Sequence, residues 1–427
     1  MGVIAADTRL ATASRKIFYD TELQVRANID DIYTMQKKGL YNRLNESFPM
    51  DSIFTRITDQ SATEGVITLL ENLALPGVYG QTMATGTEEA HATLSMHTYQ
   101  DNYRKVIPYP GYGLQKLEAD KYKLYDQNKP RLRLWNDEQE GLEIRQSKLE
   151  TYGTNMAAAT SNVFATIGGN INWNPHMLIP GLGNAVNPQP AFSTNRATYT
   201  NNICTGLMQT GGFGQFAARM LNAQVLEDIS NSAIQLRLKD IAIPGLPTGR
   251  GYILTISELQ AAYLSNPTVA ANNLGSMYIA GSLLPPETKQ RWRGVIAAYN
   301  NLLIIVDWRQ PTLIPSGSAA PYGLTAGYML WDSFDDRHRT NPHVKDTAFL
   351  YGAGELVSVE GEKLHWIDNT QDYGFREGIG TAGVRGYQLS IFRDVAGNII
   401  ADRGAVWILD MVNNGVQAGM TAVTQLP

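Results

Sequence analysis

Leu132-Arg133-Leu134-Trp135-Asn136-Asp137-Glu138-Gln139-Glu140-Gly141-Leu142-Glu143-Ile144-Arg145-Gln146-Ser147-Lys148-Leu149 lies at the centre of a long helical pattern. Leu114, Leu117, Leu124 and Tyr125 lead into it, and Trp135, Leu142, Leu149 and Tyr152 then step by seven, seven and three. Of the chain's 35 basic and 40 acidic residues, sixteen fall between Lys116 and Glu150. The spacing predicts a helix over 113–152 with one apolar stripe and a hydrated outer face. Pro130 has no amide hydrogen to give, and Asn128 can cap a restart, so a kink or break is expected there.

Working outward from this helix, the preceding segment, 77–110, reads as a long β-hairpin. Pro76-Gly77 opens it, Gly86 sits near the tip and Pro108-Tyr109-Pro110-Gly111 closes it. Ala92-Thr93-Leu94-Ser95-Met96-His97-Thr98-Tyr99 supplies the alternation of a strand. Residues 1–60 form a polar leading arm with Ile29, Ile32, Tyr33 and then Leu40, Tyr41, Leu44 at helical spacing. A hairpin of that length is marginal without a core of its own. Hairpin and arm carry little apolar surface, so both are expected to be completed by other bodies, sister molecules above all.

After the helix the surface chemistry changes. From Thr151 to Val225 the only charges are Arg196 and Arg219, among many Asn, Thr, Gly and Ala. A neutral, hydrogen-bonding surface suits contact between identical subunits, where like charges would otherwise meet; a long insertion without a special role is the plainer alternative. Beyond it, Val225, Leu226, Ile229, Ala233 and Leu236 predict a helix, and Tyr252 to Ile256 a strand. Ser257 with Gln260 then gives a capping-box start to another helix. Strands are expected at 295–298, 302–306, 328–331, 349–351, 386–392 and 405–409. The class is therefore α+β: hairpin, long helix, then a mixed sheet lobe.

Composition narrows the function. A chain of 427 residues exceeds the size at which one core stops growing, about 250–300 residues, so two lobes are expected. Net charge is −5 and the pI near 5.8, which excludes a basic field for gripping phosphates. The one cysteine, Cys204, permits no internal disulfide and fits synthesis in a reducing cytoplasm. No run reaches the ~18 apolar residues of a membrane span, and the start lacks a secretion signal's pattern.

Catalytic arrangements are not found. Gly211-Gly212-Phe213-Gly214 lacks the strand and the Lys-Ser/Thr ending of a phosphate loop, and Gly245–Gly251 reads as a loop before a strand. There is no Gly-x-Ser-x-Gly elbow, and Cys204 has no histidine nearby in sequence. Asp332, Asp335, Asp336, His338 and His343 are the nearest to a metal set. Their spacing fits neither a calcium loop nor a zinc helix, and a solvated loop paired with Arg337 and Arg339 is the simpler reading. No catalytic, cofactor or metal residue is assigned.

The order of parts is similar to the tailed-bacteriophage major capsid proteins of the HK-ninety-seven-like fold, and more narrowly to the branch of N-four-related phages. The residues that carry the likeness are Met83–Glu89 near the hairpin tip, Asp101–Val106 on the return strand and Leu132–Asp137 in the helix. Asp372-Tyr373-Gly374, Gly378-Ile379-Gly380, Gly386-Tyr387 and Asp402–Val406 follow at the far end. The resemblance implies an N-arm (1–60), an E-loop hairpin with flanks (61–112), a spine helix of the P-domain (113–152), a neutral P/A segment (153–240), an A-domain (241–345) and P-domain return strands (346–427). It also implies a non-enzymatic shell subunit without cofactor, repeated as pentamers and hexamers around packaged DNA. Decoration, portal and scaffold proteins are its implied partners, no membrane is involved, and the virion is its place. Intersubunit contacts are expected from Gly86, Glu88, Glu89, Tyr99, Arg104, Trp135, Tyr19 and Tyr33. Some relatives join subunits covalently through an E-loop lysine; here no lysine stands between Gly77 and Arg104, so no such bond is expected. The alternatives are an encapsulin-like nanocompartment shell of the same fold, a β-rich hydrolase or metal-dependent enzyme, and a tail or portal component.

Overall fold

A computed structural model describes residues 32–33, 49–58, 64–70, 93–110, 124–149, 177–178, 221, 223–243, 246, 248–264, 295–314, 327–329, 345–371, 376–390, 392–393, 399–401 and 404–410. A 3-10 turn (Pro49–Ile53) leads into β1 (Phe54–Thr58), β2 (Glu64–Leu70), β3 (Thr93–Tyr99), β4 (Asp101–Pro110) and α1 (Leu124–Leu149). Next come β5 (Met177–Leu178), α2 (Ala223–Gln235), β6 (Ile241–Ala242), β7 (Arg250–Ile256), α3 (Glu258–Leu264), β8 (Val295–Tyr299) and β9 (Leu302–Val306). The remaining strands are β10 (Thr312–Ile314), β11 (Gly327–Met329), β12 (Lys345–Tyr351), β13 (Leu356–Gln371), β14 (Arg376–Leu389), β15 (Phe392–Arg393), β16 (Ile399–Ala401) and β17 (Gly404–Asp410).

The largest sheet has nine strands among the described residues, with β7 between β12 and β9. Strand β9 is Leu302-Leu303-Ile304-Ile305-Val306, apolar at every position and buried throughout, as a strand covered on both faces must be. It runs parallel to β7, with Leu254 opposite Ile304. One face packs Leu254, Ile256, Ile304, Leu350 and Trp407 against Val225, Leu226, Ile229 and Ala233 of α2. That set recurs with the period of a helix laid on a sheet, as its sequence predicts. The α3 cap also forms as expected: the Gln260 amide donates to Ser257 Oγ at 3.3 Å.

The second body is layered as helix, sheet and sheet. Its middle layer has the order β1-β13-β14-β4, and β1 runs parallel to β13. Along β14, Arg385 and Tyr387 reach the helix α1 on one side. Across the ladder Val357 and Val359 of β13 pack on the other side, against Leu94 and Met96 of β3 and Phe392 of β15. The outer layer is β16-β15-β3-β2.

Three sequence expectations change here. The hairpin pairs β3 with β2, Met96 opposite Ile67, so its outgoing strand precedes Pro76. Its return strand then leaves that partner: after Tyr99 it continues as β4 beside β14, with Ile107 opposite Ile379. Leu94 and Met96 are buried within the same chain, so the described root of the hairpin needs no sister molecule. Second, α1 passes through Pro130 without a break. Pro130 is exposed and stands seventh in the helix, where the missing amide costs one hydrogen bond near an end. Third, the charged side of the helix is not hydrated along its C-terminal half, because Glu140, Arg145 and Lys148 are buried. The helix is covered on two sides, by β14 and by the nine-stranded lobe, and its charges face partners there.

Candidate functional site: the joint between the two bodies

The chain passes from the nine-stranded sheet to the helix-backed sheet through the turn Gly352–Glu355, between β12 and β13. Gly354 adopts φ 65°, a left-handed conformation that favours glycine. Three segments bond to this turn through their backbones. The Gly354 amide donates to Ser52 O at 2.9 Å, Ala353 N to Lys239 O at 2.8 Å, and Ser390 N to Glu355 O at 2.7 Å.

The last two turns of α1 close on the same place. Lys148 Nζ donates to Leu350 O at 2.8 Å, pairs with the Glu355 carboxylate and stands 4.5 Å over the Tyr351 ring. Arg145 binds Asp307 through two bonds, Nε to Oδ2 at 2.7 Å and Nη2 to Oδ1 at 2.6 Å. Both side chains are 1% exposed, and Asp307 directly follows β9. From the leading arm, Tyr33 lies with its ring 4.9 Å from the Arg145 guanidinium, and its hydroxyl shares a 2.7 Å hydrogen bond with that of Tyr351. A buried charge without a partner is costly, and here each one is matched, with planar Arg–carboxylate geometry where two bonds form.

One to three turns earlier the helix holds β14. Arg385 donates to both Glu143 oxygens, at 2.7 and 3.0 Å, and to Asn136 Oδ1 at 3.0 Å. Its guanidinium covers the Tyr103 ring at 3.9 Å. Tyr387 donates its hydroxyl to Glu140 at 2.5 Å. Glu138 accepts from Arg309 at 2.7 Å near the surface. The spacing explains the division: 136, 140 and 143 form one helical stripe, toward β14, while 138, 145 and 148 form another, toward the lobe. These distances make a brace; the carboxylates are occupied by Arg, Lys or Tyr rather than set beside a nucleophile.

The tyrosines of the brace titrate late. Burial pushes the Tyr351 phenol well above its ordinary value, helped by Tyr33 and Asp307 and opposed by Arg145. Burial does the same to Tyr387, with Glu140 adding to it and Arg385 opposing. For Arg385 burial alone would lower the value, but the Glu143 carboxylate outweighs it and holds the guanidinium above the ordinary arginine range. The sign for stability follows: the fold disfavours the phenolates, so these groups stabilise it fully below the ordinary tyrosine value near 10 and progressively less as pH rises through it. Thermal midpoints measured across pH 8 to about 11.5 should fall above about pH 10. A Tyr351→Phe variant should lose part of that alkaline dependence; an unchanged profile in the variant would assign the dependence to other groups.

Of the sequence candidates, Tyr33 is buried inside its own chain, and Trp135 is half-buried with Lys105 Nζ 5.5 Å above its ring. Tyr99 is half-buried at the end of β3, and Arg104 is exposed on β4. Gly86, Glu88, Glu89, Tyr19 and the acidic-histidine set Asp332, Asp335, Asp336, His338 and His343 lie outside the described residues, as does Cys204. Among the described residues no group of three His, Cys, Asp or Glu is placed to hold a metal, and no helix is long and apolar enough to cross a membrane. The partners Asp307, Glu355 and Arg385 were missed from sequence. Their helix partners were visible as charges at three-, four- and seven-residue spacing, but nothing local told which way they face.

No protein-family model matches the chain, and no curated protein matches it in sequence. Solved structures do. The capsid of Ralstonia phage GP4 is similar at a TM-score of 0.52 and 13% identity, over 94% of this chain and 98% of that one. The acidic stable capsid structure of Helicobacter pylori bacteriophage KHP30 gives 0.52 and 12%, over 96% and 99%. The Cyanophage Pam1 capsid asymmetric unit gives 0.50 and 14%, over 96% and 100%. Across almost its whole length, this chain has the fold of a phage capsid protein.

Proposed function

We propose that this chain is the major capsid protein of a tailed bacteriophage, repeated as pentamers and hexamers in an icosahedral shell around double-stranded DNA. The observation that carries the reading is the extent of the likeness: it runs over nearly the whole of this chain and of each capsid chain. In this reading α1 is the spine helix, the helix-backed sheet is the P-domain, the nine-stranded lobe is the A-domain and β2–β4 root the E-loop, with the N-four-related branch as the finer placement. The acidic balance suits a wall that encloses DNA without gripping it. Exposed Arg104 on β4, with Tyr99, Trp135, Gly86, Glu88, Glu89 and Tyr19, is proposed to face neighbouring copies. Tyr33 leaves that set, because its partners are its own. Portal, scaffold and decoration proteins are the further partners of such a shell, and the virion is where it resides.

Mass photometry of the purified full chain tests this: megadalton particles are expected, and a persistent 47.0 kDa species at micromolar concentration, with or without co-expressed phage proteins, would overturn it. A second expectation concerns how the shell is held. With no lysine between Gly77 and Arg104, particles boiled in SDS should run as one band near 47.0 kDa. A ladder of covalent multimers would contradict that.

A further inference from the structure

The joint contains one side chain that the brace does not require for charge balance. Arg145 and Asp307 already neutralise each other, and so do Lys148 and Glu355. Tyr33 nevertheless reaches in from the leading arm, more than a hundred residues away in sequence from either pair. It is 6% exposed, beside Ile32 at 1%. Its ring covers the Arg145 guanidinium, and its hydroxyl bonds the hydroxyl of Tyr351, itself fully buried under the Lys148 ammonium. The rings of Tyr33 and Tyr351 meet edge to face, 6.3 Å apart at 72°.

These contacts join three parts that no short stretch of backbone joins. Arg145 belongs to α1, Asp307 to the end of β9 in the nine-stranded lobe, and Tyr351 to the last residue of β12 before the turn into the other sheet. We infer that Tyr33 is a latch: the seated arm fixes Arg145 on Asp307 and thereby sets the angle between α1 and the nine-stranded lobe. Without the ring, water reaches a buried guanidinium whose attraction to its carboxylate depends on staying dry. Without the hydroxyl, Tyr351 keeps a buried polar group with no described side-chain acceptor in place of Tyr33. Either loss loosens the joint while leaving both sheets their own cores. Arm position and lobe angle are therefore coupled within one subunit, whatever larger body that subunit joins. Tyr33 acts through Arg145 and Tyr351, so it is a positioning residue.

Hydrogen exchange on the full-length soluble chain tests the latch. Tyr33→Ala should speed exchange about tenfold in peptides covering the end of α1 and the segment after β9, while β7 at the lobe's centre stays protected. Tyr33→Phe keeps the ring and should restore most of the protection. Tyr351→Phe removes the same hydroxyl bond from the other side and should match Tyr33→Phe. Unchanged exchange at the joint in Tyr33→Ala would overturn the inference. So would faster exchange spread equally to β7, which means general destabilisation, or a failure of Tyr33→Phe to rescue. If Tyr33→Ala yields no soluble chain, the two phenylalanine variants decide alone: matched, small increases confined to the joint support the latch, and unmatched or global ones refute it.

Discussion

Replacing Arg385 by alanine should destabilise the chain by about 3–5 kcal/mol, the cost of leaving buried carboxylates without their cation. The Arg385 side chain is 8% exposed, Glu143 15% and Glu140 6%, so water cannot take over the role of the guanidinium. The same change also uncovers the Tyr103 ring and removes the donor to Asn136 Oδ1. Arg309→Ala is the comparison, since it breaks a singly bonded ion pair of similar length, 2.7 Å, at partly exposed positions, 19% and 31%. That change should cost less than about 1 kcal/mol. Urea unfolding of the soluble chain measures both. Equal, small shifts for the two variants would mean that the helix is not braced through Arg385. A double change of Arg385 and Glu143 to methionine should recover part of the loss, because it removes the orphaned charge along with its partner.

The other large effect is steric. A Cβ added at Gly386 would lie 2.0 Å from Tyr99 O, 3.0 Å from Tyr99 C and 3.1 Å from Gln100 Cα. All three atoms are backbone, at the point where the hairpin strand crosses from the outer sheet to β14, so no side chain can swing aside. Gly386→Ala should force β3 and β4 off β14 and cost about 3 kcal/mol or more. Gly249→Ala provides the scale: nothing lies within 4 Å there, and only its φ of +66° opposes a side chain. That strain is worth about 1–2 kcal/mol. Limited proteolysis at Arg104 and Lys105, together with the unfolding midpoint, distinguishes the two variants. If Gly386→Ala is no less stable than Gly249→Ala, the crossing is looser than the fold requires.

How far the fold could be read from the sequence depended on whether local pattern and long-range packing agreed. Where a strand is apolar at every position, as in β9, or a helix carries a regular apolar stripe and a cap, as in α2 and α3, the residues announce the element. The mixture of sheets and few helices followed from those elements. Strand β13 was invisible for the opposite reason. Glu360, Glu362, Lys363 and His365 interrupt its alternation, and two register irregularities between Glu360 and His365 take the place of a regular ladder. The start of β14, with Gly378, Gly380 and Gly383, carries too few β-forming side chains to read as a strand by itself. It is held by neighbours on both sides, Ile367 and Val106 flanking Gly380 in one row.

The joint was the least legible part. Its helix charges were counted at the outset but assigned to water, because a charged residue is normally solvated. Only the three-dimensional path of the chain brings Asp307 to Arg145 and Glu355 to Lys148, across 162 and 207 residues. Tyr33 was misread for a related reason. An aromatic residue on a polar arm looks like a hook for a neighbour, and nothing nearby in sequence shows that its partners are Arg145 and Tyr351.

A single image tests the central claim. The full-length protein, purified with whatever phage proteins assemble beside it and viewed by cryo-electron microscopy, should form closed shells whose walls resolve into five- and sixfold rings of this chain. Discrete monomers or open chains of subunits, with no such rings under any assembly condition, would contradict it.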